Sequence, residues 1–325
     1  MKTATAPDAI ATDYGTLEGV TRAAFHENGR LARCTLSRPN TITLPSGTFI
    51  PQYEDQYDDE RRRKQLTKSL TFYEDGTISS IILQDAAQVK TSIGHISAEM
   101  VSFHENGAVK RVFPTYGTIS AFWTEADERH ASPELSLDLP IGSYKGKAIN
   151  VTFYPTGRFK SITLWSGNTL TVPTPLGDLQ TRIGFCLYED GSTKSVEPNS
   201  VLDVPTPLGT IPAFDPNALG MDGGSNSLVF ARDGSIESLF TSTIQVSVTT
   251  AEGEKTVHAP AVRLGHFADV MVADPMKISF SNGQVSFGAR GKAAPSAEYL
   301  MADCTFSIDP LDAPVSEDSC DACQE

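Results

Sequence analysis

The chain is poor in the residues that usually announce a chemistry. It has two tryptophans, six histidines and five cysteines in 325 residues. No apolar run approaches the roughly 18 residues that a membrane-spanning helix needs. The opening "MKTATAPDAIATDYG" lacks the apolar core of a secretory signal. Five cysteines in so long a chain do not make a disulfide framework. Positive charge is also short: 26 basic residues face 40 acidic ones, for a net charge of −14. Such a surface repels phosphate backbones, and no basic stripe offsets it, so nucleic acid is excluded as a partner. A cytoplasmic protein is expected.

Catalytic and cofactor motifs are missing too. There is no G-x-S-x-G elbow, no Walker-type phosphate loop and no dinucleotide fingerprint. His95, His130, His258 and His266 have no metal-ligand spacing. Asp215-Pro-Asn217 opens like a calcium loop, but Leu219 stands where the next oxygen ligand is needed and Asn226 where a bidentate glutamate should close the loop. No cofactor is expected. The closing "SEDSCDACQE" holds Cys320 and Cys323, which make half a zinc site, and the other cysteines supply no second pair.

What the chain does have is a recurring phrase. "AAFHENGRLARCTL" at 23–36 returns as "LTFYEDGTISSIIL" (70–83), "MVSFHENGAVKRVF" (100–113), "VTFYPTGRFKSITL" (151–164), "FCLYEDGSTKSVEP" (185–198), "LVFARDGSIESLFT" (228–241) and "KISFSNGQVSFGA" (277–289). The shared glycines, Gly29, Gly76, Gly107, Gly157, Gly191, Gly234 and Gly283, are spaced by 47, 31, 50, 34, 43 and 49 residues. Self-similarity at this period is the signature of a repeat architecture.

Each copy reads as a β-hairpin. A large apolar residue stands four before the glycine (Phe25, Phe72, Phe103, Phe153, Leu187, Phe230), and in most copies another stands two after it (Leu31, Ile78, Val109, Phe159, Ile236). Strands expose alternate side chains to one face, so both positions face one core. "YPTG" excludes a type I′ turn, because Pro155 and Thr156 resist positive φ. It favours a type I turn followed by glycine in the left-handed region. Two polar residues then separate the next apolar pair, as in Ile78-Ser79-Ser80-Ile81, which predicts a bulge. In the last copy Phe280 stands only three before Gly283, so its first strand is expected to slip or bulge.

A second phrase, "VPTPLG" (172–177 and 204–209), follows the first, with looser versions at 44–47, 91–94, 114–117 and 262–265. The reading is an all-β repeat protein, an elongated meander or solenoid of stacked hairpins; the alternative is a seven-bladed β-propeller. Residues 1–20 read as an N-terminal extension, 21–290 as the hairpin-repeat domain, and 291–325 as a C-terminal segment ending in a disordered acidic tail. Insertions fall near 52–66, 123–140 and 214–227. The first, "QYEDQYDDERRRKQ" (52–65), reads as a solvated helix or mobile loop.

The position after the phenylalanine column is occupied by His26, Tyr73, His104, Tyr154 and Tyr188. These amphipathic side chains are expected on the face away from the core, as a half-exposed ladder or as a ligand-facing stripe. Trp123 and Trp165 are candidate stacking platforms for a sugar. The F-[HY]-E-[ND]-G pattern, seen in Phe25–Leu31, Phe72–Ile78 and Phe103–Val109, resembles the MORN-variant hairpin repeats of bacterial antitoxin-like proteins. That resemblance implies an all-β scaffold used for binding. The leading functional reading is a non-enzymatic scaffold for a protein or peptide partner. The alternatives are a carbohydrate-active or sugar-binding module and a metal binder acting through Cys320 and Cys323.

From Asp309 onward the chain carries two prolines, six acids and almost no bulky apolar residue, so it cannot recover the entropy of ordering. Deleting residues 312–325 is expected to leave the thermal midpoint unchanged, with no stoichiometric zinc in either form. Zinc in the parent, lost together with stability in the deletion, would identify the tail as a folding metal site.

Overall fold

The computed structural model describes residues 2–4, 8–218, 226–264, 271–290 and 294–311. Cys320 and Cys323 lie outside these, as does Gly265. The chain forms two compact units, Met1–Trp165 and Ser166–Glu325. The fold is all-β: short antiparallel strands dominate, and the described α-helix is a single short segment, Glu125–Ala131.

Each copy of the recurring phrase is a hairpin. In the first unit these are Val20–Phe25 with Leu31–Leu36, Leu70–Phe72 with Ile78–Thr91, Gly94–Phe103 with Val109–Phe113, and Ala148–Phe153 with Phe159–Leu164. In the second they are Gly177–Leu187 with Thr193–Pro198, Leu228–Phe230 with Ile236–Thr241, and Met276–Ser281 with Gln284–Ala289. Within each unit successive hairpins join edge to edge in one meandering sheet. The seven-bladed arrangement is therefore not formed, because it requires a separate sheet for each blade.

The register aligns the core into rows. In the first unit Ala23, Cys34, Leu70, Ile81, Val101, Val112, Val151 and Ile162 face one another across consecutive strands, and all are buried. The corresponding row of the second unit runs Phe185, Val196, Leu228, Leu239, Ile278, Phe287. Each fully buried aliphatic or aromatic side chain contributes roughly 1.5–3 kcal/mol, so these rows supply much of the driving force for stacking. The expected phenylalanine column forms the next row. Phe72, Phe103, Phe153, Leu187 and Phe230 are buried, while Phe25, nearer the sheet edge, is half-buried.

The turn chemistry follows the sequence in six copies. Gly29 N donates to His26 O at 3.0 Å and His26 N to Arg30 O at 2.9 Å, and the same pair of bonds closes the turns at Tyr73, His104, Tyr154, Tyr188 and Ala231. Each of the six glycines has φ between 79° and 91°. The register then skips one residue: Thr71 pairs with Ser80 and Phe72 with Ile78, leaving Ser79 as the bulge. That extra residue is what broke the alternation in the sequence. The last copy differs from expectation. Its register is continuous from Met276↔Ala289 to Ser281↔Gln284, with no slip or bulge. Asn282 and Gly283 both have positive φ, 51° and 76°. This is a two-residue type I′ turn, one residue shorter, so no bulge is needed to restore the alternation.

The second phrase at 44–47 and 204–209 turns smaller hairpins, Ile42–Leu44 with Gly47–Phe49 and Leu202–Thr206 with Gly209–Ala213. At 91–94 it turns between the long strands Ile78–Thr91 and Gly94–Phe103, and at 114–117 it forms no strand. A further small hairpin pairs Leu135–Leu139 with Gly142–Gly146. Residues 1–20 contain another, Ala9–Thr12 with Gly15–Glu18, while Lys2–Ala4 pairs with Val20–Phe25. In "VPTPLG" the valine is buried (Val172, Val204) and the threonine closes the turn. Thr174 Oγ1 donates to Gly177 O at 2.7 Å and accepts from Leu176 N at 3.1 Å, and Thr206 repeats this with Gly209 and Leu208. Gly47 shows how closely these hairpins approach the main sheet: a Cβ there would lie 2.9 Å from the Gln88 carbonyl.

Gly157 isolates the conformational requirement, since a Cβ at that position would touch nothing within 4 Å. Gly157→Val is expected to lower stability by about 1–3 kcal/mol through backbone strain alone. Denaturant unfolding of the two proteins measures it; an unchanged midpoint would contradict the turn assignment.

Candidate functional site

The His/Tyr column is tied to the fold itself. His26 Nε2 lies 3.0 Å from Phe72 O and His104 Nε2 lies 3.0 Å from Phe153 O. A carbonyl only accepts, so Nε2 is the donor in both bonds. Tyr73 donates its hydroxyl to Phe103 O at 2.8 Å, and Tyr188 to Phe230 O at 2.9 Å. In each case the acceptor belongs to the next hairpin. The strand ladder between hairpins stops one residue short of that phenylalanine, as at Thr71↔Arg33 and Arg111↔Thr152. The side chain takes the place of the next ladder bond. Asn28 and Asn106 add a second tie, donating to Glu74 O at 2.7 Å and Pro155 O at 2.8 Å. Burial raises the phenol pKa of Tyr73 and of Tyr188, which keeps both donors protonated. The Tyr154 ring lies 5.7 Å from the Lys160 ammonium.

Neither tryptophan presents an open face. Trp123 and Trp165 are both buried. Trp123 has the guanidinium groups of Arg61 and Arg63 at 5.0 and 5.5 Å from its ring, and its Nε1 donates to Glu128 Oε2 at 2.7 Å. A ring so enclosed offers no platform for a sugar.

The charge-rich insertion folds differently from the expected helix or mobile loop. Gln56–Asp58 pairs with Arg61–Lys64 as a hairpin, turning through Asp59 and Glu60 with φ of 45° and 65°. Its basic half splits. Arg61 and Arg62 stay at the surface, paired with Asp127 at 3.1 Å and Asp55 at 3.4 Å. Arg63 and Lys64 turn inward. Arg63 makes two parallel bonds to Glu99, at 2.7 and 2.8 Å, and reaches Glu128 at 3.3 Å. Lys64 Nζ donates to Leu83 O and Gln84 O, both at 3.0 Å. Burial works against the charge on Arg63, but Glu99 and then Glu128 outweigh it and hold its pKa above the usual value. Lys64 has weaker compensation, and burial pushes its pKa down.

The second insertion locks onto the first. Thr118 N donates to Arg63 O at 2.7 Å, and Gly117 N to Glu128 Oε1 at 2.6 Å. Thr124 caps the short helix in a reciprocal box with Asp127, and the Lys147 ammonium caps its far end at Arg129 O and His130 O. Ser120 Oγ accepts from both Phe122 N and Trp123 N at 3.2 Å. That tight turn sends the two neighbouring aromatics in opposite directions: Trp123 is 1% exposed and Phe122 is 74% exposed. Phe122 and Tyr57 line a cavity of about 510 Å³ together with Arg61, Arg62 and Gln65. Ile119, between the lining residues Thr118 and Ser120, is also exposed.

The second unit has its own buried ionic cluster. Arg182 Nη2 lies 3.6 Å from Glu197 Oε1 and donates to Asp215 O at 2.7 Å, while Arg290 pairs with the Asp215 carboxylate. Ser227 donates to Glu197 Oε2 through both its backbone and its hydroxyl. Burial nevertheless pushes the Glu197 pKa up. Asp215 Oδ1 accepts from Asn217 N at 2.8 Å, so both of its oxygens are engaged in the fold rather than offered to a cation. Among the described residues no three His, Cys, Asp or Glu side chains converge as a metal site.

Comparison with family models, curated proteins and solved structures finds no match to this chain.

The patch at Tyr57 and Phe122 escaped the sequence reading, because a run of acids followed by bases resembles a solvated segment whether or not its cations turn inward. The one available signal was the "FW" pair at 122–123, where two adjacent aromatics cannot both face the same core. Glu128→Ala would leave Trp123 Nε1 and Gly117 N without their acceptor and Arg63 with Glu99 alone. It is expected to cost about 3–5 kcal/mol, the scale for breaking a buried pair, with a red shift in Trp123 emission. A loss under about 1 kcal/mol would show that the network does not hold the insertions.

Proposed function

We propose that this chain is a non-enzymatic β-hairpin scaffold of the cytoplasm that binds a protein or peptide partner through the surface around Tyr57, Ile119 and Phe122. The observation that carries this reading is the exposure of two large apolar side chains on one cavity, Tyr57 at 59% and Phe122 at 74%, with Ile119, 56% exposed, in the segment between the lining residues Thr118 and Ser120. Exposed apolar residues are ordinary when scattered; grouped on a cavity and rimmed by arginines they mark an interaction site.

The backbone beneath them is fixed by the buried network of Arg63, Glu99, Glu128 and Trp123. Anchors already held in place lose little entropy on binding, which favours affinity per unit area. The resemblance of the hairpins to MORN-variant repeats also supports a binding scaffold. Net charge of −14 argues against nucleic acid. Among the described residues no helix is long and apolar enough to cross a membrane.

The test is selection from a random peptide library displayed on phage, against the full chain and against a Tyr57→Ala/Phe122→Ala variant of equal thermal stability. Peptides enriched on the parent are expected to lose at least about tenfold in affinity for the variant, since central aromatic anchors typically contribute 2 kcal/mol or more. Peptides that bind both proteins equally would place the partner surface elsewhere.

A further inference from the structure

The first large hairpin carries a second concave feature, on the sheet face opposite the core. Across its strands Arg22 pairs with Thr35 and Ala24 with Arg33. Thr35 Oγ1 donates to Thr67 O at 3.2 Å and so ties the segment leading to Leu70 against the hairpin. Arg22, Arg33 and Lys68 stand around the resulting cavity of about 220 Å³, with the small side chains of Ala24, Thr35 and Thr67 also in its lining.

The charge balance of this cavity is unlike the rest of its surroundings. Among the described residues no carboxylate lines it. Neither Arg22, Arg33 nor Lys68 forms an ion pair or a side-chain hydrogen bond with any described residue. By contrast Arg30, Arg38, Arg61, Arg62 and Arg63 each have a carboxylate partner. In a chain with 40 acids and 26 bases, three cations sharing one cavity with no counter-charge repel one another, a cost that a bound anion removes. Ala23 and Cys34, whose side chains belong to the core row on the other face, complete the lining, and burial pushes the Cys34 thiol pKa up to about 12, so it stays neutral.

We propose that this cavity is an anion site for a phosphate group, taken either as inorganic phosphate or as the phosphate of a small monoester. Two guanidinium forks and an ammonium match a compact, doubly charged, tetrahedral oxyanion: each arginine can donate two parallel N–H bonds, and the lysine supplies a point charge. A single carboxylate would leave most of these donors unused.

The test is isothermal titration calorimetry of the full chain with inorganic phosphate, phenyl phosphate and chloride at constant ionic strength. A saturable one-site isotherm is expected for at least one of the phosphates and none for chloride. Arg33→Gln and Lys68→Gln, which change side chains outside the core, are expected to keep the parent Tm and to weaken that binding at least tenfold. Tighter binding of phenyl phosphate would assign the site to a monoester, and equal or tighter binding of inorganic phosphate to the free ion. No saturable heat with either phosphate, or equal affinity in parent and variants, would overturn the proposal.

Discussion

The structure depends on the way one hairpin holds the next. Antiparallel strands from successive hairpins pair over only a few residues, and each ladder ends before the phenylalanine that closes the following turn. A carbonyl left open there would weaken the junction, because an unmade bond at a half-buried group costs more than a made one contributes. His26, Tyr73, His104 and Tyr188 fill that acceptor from the neighbouring turn. Histidine and tyrosine serve alike because each carries a rigid ring with a donor at its far end. The same residues that looked available for a ligand are thus committed to holding the stack together.

This arrangement makes the repeat tolerant. Once the turn, the bulge and the clamp are in place, the chain between hairpins can lengthen at little cost, since loop closure depends only weakly on length. The glycine spacings vary from 31 to 50 residues for that reason. The longest interval within the first unit, from Gly107 to Gly157, holds the segment of Phe122, Trp123 and the short helix. The structure around it is anchored by ion pairs rather than by the sheet ladder, which is how an exposed aromatic surface can stand on a fixed base.

Charge is managed by position. Arg30, Arg38, Arg61 and Arg62, at the surface of the first unit, are paired with acids and contribute modestly. Arg63 and Lys64 are drawn inward, where carboxylates and carbonyls meet them. Among the described residues Arg22, Arg33 and Lys68 have neither arrangement. A basic group with no partner is informative in an acidic chain, whereas the same group among paired charges is not.

The sequence by itself determined the hairpins. Alternation placed Phe72, Phe103 and Phe153 in the core, Pro155 and Thr156 excluded a type I′ turn in that copy, and Ser79 broke the pattern where the bulge sits. These are local requirements, set by backbone sterics and by the two-residue period of a strand, so they can be read from a few adjacent residues. Only the tertiary structure decided the fate of the insertions and of the polar column. Whether Arg63 turns inward depends on Glu99 and Glu128, residues 36 and 65 positions away. Whether His104 is free depends on a carbonyl 49 residues further on. Polar and charged side chains are satisfied by whatever the fold brings near them, and that proximity is not written in the residues beside them.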